Sequence, residues 1–167
     1  MQDEIDALTS GWAAAGLTPA QIGTLELSKR IGRLHGLIEQ AVRSELAQFG
    51  LTYAEFDVLA ALYRVGAPYR LRPSELSRSL LLTSGGTSNV LQRLTAAGHI
   101  DRGADPGDGR SRWVQLTGSG RTVAVRAMAV SVRVHDEVMS GLPEDTIRQA
   151  ADDLREILAV VSRKRLR

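Results

Sequence analysis

At 167 residues the chain has room for one domain with helical extensions, and none for a second large one. Its residues are 43% hydrophobic and 24% charged, which supplies a packed core and argues against global disorder, but with aromatics at only 4% that core must be filled by Leu, Val, Ile and Ala. A net charge of +2 is too small to point to nucleic acid by itself, and the absence of cysteine excludes disulfides, thiolate zinc sites and thiol redox sensing, which fits a cytoplasmic protein.

The N-terminal stretch sets Ile5, Leu8 and Trp12 among acids, the spacing of a short helix that reaches Ala14 and is broken by Gly16 and Pro19. Acids stand where a signal peptide would carry bases, and no apolar run approaches the roughly 18 residues of a membrane span, so a soluble, unexported chain is expected. From about Ala20 to Phe49, Leu27, Ile31, Leu34, Ile38, Val42 and Leu46 recur at helical spacing, with Gly50 placed to stop one long helix. Thr52-Tyr-Ala-Glu55 has the pattern of a capping box and predicts a further helix to about Val65, ended by Gly66 and Pro68. Arg72-Pro-Ser-Glu-Leu76 then opens a short helix to about Leu80, with proline and an acid in its first turn. After Leu81-Leu-Thr83, either Thr83 or Ser84 is placed to cap a helix running to Ala97, which Gly98 terminates.

Ile100 to Gly103 and Arg112 to Leu116 are short candidate strands around the Pro- and Gly-rich segment 104–111, which reads as the turn of a β-hairpin. Thr117 caps a predicted helix over 118–139, and Pro143 opens a last one to about Val161. In that last helix Ile147, Ala150, Ala151, Leu154, Ile157, Leu158 and Val161 form an apolar stripe that needs a partner. The segment Arg163 to Arg167 is basic.

Two helices, a short link and a hairpin make a winged helix-turn-helix, whose second helix can enter a major groove. The predicted fold class is therefore mainly α with a small β-hairpin wing. It divides into an N-terminal extension and first long helix (1–50), the winged lobe (51–117), and C-terminal helices (118–167). The charge distribution agrees, since residues 1–28 carry a local balance of −4 and residues 70–112 one of +3. In the second helix, Ser84, Thr87, Ser88, Asn89, Gln92 and Arg93 are spaced to cover the solvent side while Val90, Leu91 and Leu94 pack inward, so hydroxyls, amides and a guanidinium would meet base edges and phosphates. Gly85 and Gly86 cost helix stability and would allow close approach of backbone amides to phosphate. Arg110 and Arg112 at the hairpin suit a narrow minor groove, and Asp108 is placed to hold the Arg110 guanidinium. Arg72 and Ser74 join this set at the start of the first helix of the motif.

From about Leu51 to Gly120 the chain resembles the core of the MarR family. The resemblance rests on Arg72-Pro-Ser-Glu-Leu76, on Thr83 to Leu94 as recognition helix, on Ala97-Gly-His-Ile100, and above all on Asp105-Pro-Gly-Asp108-Gly-Arg110 followed by Val114-Gln-Leu-Thr117-Gly-Ser-Gly120. Gly109 departs from it, because family members commonly carry a second arginine there. The resemblance implies a homodimer built from the first long helix and the last two, and a ligand-responsive repressor on a pseudo-palindromic operator with half-sites about 10 bp apart.

Trp12, His35, Asp57 and Arg102 are similar to the urate-responsive, PecS-like branch of that family, which implies a small anionic or aromatic effector and no cofactor or metal. Val90 stands where that branch carries an arginine. Three other readings stay open at this level: an activator that uses the same DNA-binding mode, a winged-helix interaction module that does not bind DNA, and an enzyme. Against the enzyme, His35, His99 and His135 are far apart and no Gly-rich phosphate loop, HExxH or GxSxG pattern occurs.

Overall fold

The structure, a computed structural model, describes residues 2–80, 84–105 and 108–163, while the side chains at 79, 84, 85, 104, 105 and 108–112 lie outside that description. The described elements are α1 (Asp6–Ala14), α2 (Pro19–Leu46) with a 3-10 turn (Ala47–Phe49), α3 (Tyr53–Arg64), β1 (Arg70–Leu71), α4 (Pro73–Ser79), α5 (Ser84–Ala96), β2 (Ile100–Asp105), β3 (Asp108–Leu116), α6 (Gly118–Val138) and α7 (Glu144–Val161). No helix among the described residues is long and apolar enough to cross a membrane.

Helix boundaries follow local chemistry. Thr18 and Thr52 each accept a hydrogen bond from the backbone three residues on, while Gln21 and Glu55 return one to the cap, so α2 and α3 both begin in reciprocal capping boxes. Gly50 closes the α2 segment in the left-handed region, at φ 66°. Thr117 Oγ1 accepts from the Gly120 amide at 3.0 Å and starts α6. The first turn of α6 also abuts the Gly98–His99 turn so closely that a Cβ on Gly120 would lie 1.9 Å from the His99 carbonyl oxygen.

One apolar core fills the centre of the chain. Val42 and Leu46 from the end of α2, Leu59 and Leu62 from α3, Leu76 from α4, Leu91 and Leu94 from α5, and Ile100 and Val114 from the sheet are all essentially inaccessible. The sheet is antiparallel with order β1-β3-β2. Its β1, two residues long and not foreseen, pairs Arg70 with Gln115 and Leu71 with Val114. The hairpin is longer than expected: Ala104 faces Arg112 and Asp105 faces Asp108 past a register shift, so most of the segment read as a turn continues the ladder. Backbone pairing needs no buried face, and hydrophobic alternation therefore underestimates an exposed ribbon.

Outside this core the helices keep apolar surface. On α2, Leu27, Ile31, Leu34 and Leu37 are exposed, as are Val125 and Val132 on α6. Helix α7 buries none of its residues, and Ile147, Leu158 and Val161 stay open to solvent. The stripe read from the sequence is therefore present and lacks a partner among the described residues.

Candidate nucleic-acid interface

The helix-turn-helix is assembled by its inward residues. Leu76 anchors α4 in the core, with the Glu75 carboxylate accepting the Arg72 amide at 2.7 Å to start the helix. On α5, Val90, Leu91 and Leu94 point into the same core. Thr87 joins them: it is 2% exposed, and its Oγ1 accepts a 3.0 Å hydrogen bond from Ser77 Oγ. This corrects the expectation that Thr87 lies on the solvent side. Standing three residues before Val90 and four before Leu91, it belongs to the buried stripe, and the hydroxyl is satisfied across the α4–α5 contact instead of being offered to DNA.

What remains on the outer face of α5 is Ser88, Asn89, Gln92 and Arg93, all exposed. Arg72, Ser74 and Arg78 are exposed on or just before α4, and Arg70 and Arg102 on the adjoining strands. This surface offers amide and hydroxyl groups in the middle of a helix with cations at its margins, the order that reading bases and gripping phosphates requires. Ser84 starts α5, and Asp108, Arg110 and Arg112 lie along β3, but their side chains fall outside the described residues. Trp113 packs its ring across the strand on Gly103, where an added Cβ would lie 2.4 Å from it, so this pair stiffens the base of the wing.

Arg93 carries a link that the sequence did not signal. Its Nε is 3.2 Å from Oε1 of Glu55, a carboxylate whose side chain is 9% exposed. The other oxygen, Oε2, accepts from the Thr52 amide at 2.8 Å and from Thr52 Oγ1 at 2.9 Å. One buried carboxylate thus caps α3 and holds α5.

Beside this link lies a cleft of about 520 Å3 between α2, α3 and α5, lined by Glu39, Arg43, Ala47, Tyr53, Asp57 and Arg93 among others. Burial pushes the Asp57 carboxyl above the ordinary carboxylate range, helped by Glu39 and opposed by Arg64 and His35. The Tyr53 phenol is raised as well, by burial and by the carboxylates of Asp57 and Glu39. Of the four residues read as an effector set, Asp57 lines the cleft and His35 is near enough to act on its charge, but the His35 ring is 67% exposed, 3.7 Å from Glu39. Trp12, half-buried on α1, and Arg102, exposed on β2, do not line it. Arg43, Glu39 and Tyr53 were missed because they come together only when α2 crosses α3. Among the described residues no group of three or more His, Asp or Glu side chains is arranged to hold a metal.

Residues 49–111 match the model of the MarR family. The HTH-type transcriptional regulator PecS of Dickeya dadantii (strain 3937) is 33% identical over 124 residues, which span 74% of this chain and 71% of PecS. The chain belongs to the MarR family. As in other members of this family of transcriptional regulators, its described elements form a winged helix-turn-helix between long helices. Two solved structures show the same fold at 23% identity. A MarR variant from Escherichia coli complexed with operator DNA superposes with a TM-score of 0.73, covering 81% of this chain and 96% of that one. CouR from Rhodococcus jostii bound to p-coumaroyl-CoA superposes with a TM-score of 0.67, covering 79% and 89%.

Proposed function

We propose that this MarR-family regulator is a cytoplasmic, non-enzymatic repressor that binds a pseudo-palindromic operator as a homodimer and is released by a small anionic or aromatic effector. The observation that carries the reading is the division of α5, with Thr87, Val90, Leu91 and Leu94 buried and Ser88, Asn89, Gln92 and Arg93 exposed. In this reading Ser88, Asn89 and Gln92 meet base edges, while Arg72, Ser74 and Ser84 serve the phosphates beside them. Asp108 orients Arg110, and with Arg112 this arginine extends into the flanking minor groove.

The exposed apolar faces of α2, α6 and α7 support self-association, because an apolar area of that extent on three helices gains by being covered. A twofold axis between them would set the two α5 helices in successive major grooves, about 10 bp apart. The cleft supports the effector, since Arg43 and Arg93 place cations beside an aromatic ring and a carboxyl whose pKa burial raises. The 33% identity to PecS and the presence of α1 ahead of the long helix favour the PecS-like branch.

The experiment is a titration of the full chain against duplexes enriched in vitro by the protein itself, with scrambled duplex of the same length as control. An inverted repeat should be selected, bound as a dimer, and lose affinity steeply as salt rises. Equal affinity for both duplexes at every salt concentration overturns the reading. A thermal-shift panel of urate, xanthine, salicylate and small dicarboxylates tests the effector separately, and no shift with any of them removes that part.

A further inference from the structure

We infer that Arg93 is a positioning residue for the recognition helix, acting through Glu55, in place of the direct phosphate or base contact its exposure suggests. The inference rests on the DNA-binding reading above and gives one of its residues a different task. Helix α5 is held on the core by Val90, Leu91 and Leu94, and apolar contacts of this kind are non-directional: they fix how deeply a helix sits better than how it is rotated or slid. The Ser77–Thr87 hydrogen bond gives the helix one directional tie, to α4, and Arg93 adds a second, to α3. Its partner Glu55 is a fixed point, because both hydrogen bonds from Thr52 land on Oε2 and burial leaves the carboxylate no room to follow a moving guanidinium.

The ion pair lies at 3.2 Å, and a mostly buried carboxylate left without its cation is costly, so the tie favours one placement of α5 over its neighbours. Gln92 precedes Arg93 directly, and Asn89 lies one turn before it on the same exposed face. A shift at the tie is therefore delivered to the side chains that read bases. The same guanidinium forms part of the wall of the cleft with Arg43 and Asp57, which places the tie where an anion in the cleft would compete with Glu55 for it.

The test uses Arg93→Ala, Glu55→Gln, the double variant and Arg93→Lys in the full chain. Glutamine keeps an oxygen for the Thr52 cap while removing the charge that holds Arg93. Binding is measured to the enriched inverted-repeat duplex and to scrambled duplex over a range of salt. Arg93→Ala and Glu55→Gln should each weaken the inverted repeat about fivefold while scarcely changing the scrambled duplex, with the double variant no worse than the weaker single. Arg93→Lys should retain most of the preference, and the salt slope for Glu55→Gln should match wild type. Arg93→Ala weakening both duplexes alike and lowering the slope by about one, with Glu55→Gln unaffected or tighter, would make Arg93 a phosphate contact and overturn the inference. Amide exchange of the free protein decides the point without DNA: α5 should exchange faster in Glu55→Gln while α2 is unchanged, and unaltered exchange in α5 overturns it. A wild-type protein that prefers no duplex sinks the DNA-binding reading, and the exchange result still stands or falls by itself.

Discussion

Leu91 on α5 and Leu158 on α7 are the same side chain at the same helical spacing, yet the first is 1% exposed and the second 61%. Leu91 belongs to a core that the described residues complete alone, closed by α2, α3, α4, the sheet and one face of α6. Leu158 belongs to a stripe that none of the described residues covers, and α2 carries a second such face through Leu27, Ile31, Leu34 and Leu37. Periodicity reports that a helix has an apolar side, not which molecule covers it. The central lobe should therefore be stable by itself, while the outer helices derive their stability from the proposed second copy, so that mutations in the two regions act on different equilibria.

The sharpest way to break this separation is at the seam. Gly120 sits in the first turn of α6, where its missing Cβ leaves room for the His99 carbonyl, which also accepts the Thr117 amide at 3.1 Å. Gly120→Ala must displace that backbone and the α6 cap together, a loss of about 4 kcal/mol. Chemical denaturation should show it with the midpoint lowered and the slope retained. A loss under about 1 kcal/mol would mean that the seam yields and the lobe and outer helices are only loosely joined.

Next in size is the leucine pair itself. Leu91→Ala removes a fully buried side chain and should cost about 3 kcal/mol at any protein concentration. Leu158→Asp should leave the lobe's unfolding signal nearly unchanged while shifting sedimentation from dimer towards monomer and making Tm more dependent on concentration. If Leu158→Asp sediments as wild type does, the α7 stripe is not part of a dimer interface.

Legibility in the sequence followed the range of the interaction. Caps at Thr52 and Thr117 and the stop at Gly50 were readable because each is settled within a few residues. Thr87 stands at the spacing of the buried stripe from Val90 and Leu91, but a hydroxyl suggests a solvent-facing position until the fold brings Ser77 to satisfy it. The strand β1 is too short to show any period. The tie between Glu55 and Arg93 and the walls of the cleft could not be read at all, since ion pairs between elements depend on how helices cross and leave no spacing to find.

Asp57 sharpens the comparison from the side of the cleft, by a smaller effect that depends on pH. Burial raises its folded-state pKa above the ordinary 3.8, with Glu39 adding to the rise and Arg64 and His35 opposing it. The folded state thus holds the proton more firmly than the unfolded chain does. The group's contribution is complete below about pH 4 and is lost as pH rises through the folded value, after which the ionised carboxylate is a standing cost. Asp57→Asn should match wild type near pH 4 and melt higher than wild type at neutral pH, measured as Tm across that range. A Tm difference that does not change with pH would place the carboxyl in a solvated setting and remove the case for a partly desolvated cleft.

The smallest expected effect lies at the far end of the outer helices. Arg30 holds α1 to α2 through Nε to Asp3 at 2.8 Å and a terminal nitrogen to Asp6 at 2.7 Å, with Glu26 at 3.4 Å from the other. The guanidinium keeps the Asp3 carboxyl below the usual carboxylate range. All of these groups reach solvent, where water and salt compete for each of them, so the cluster orders the N-terminal helix without stabilising the lobe. Arg30→Ala should therefore leave the main unfolding transition in place. The change should be local: Trp12 on α1 emits further to the red, and cleavage between α1 and α2 quickens under limited proteolysis. With Trp113 replaced by Phe in both proteins, the emission reports Trp12 alone. Raising salt on the wild-type chain should reproduce part of the shift, because screening weakens the same charges that the substitution removes. A main transition that drops with Arg30→Ala would show that α1 and the central lobe unfold as one unit, and that the division between self-sufficient core and dependent outer helices does not extend to this end of the molecule.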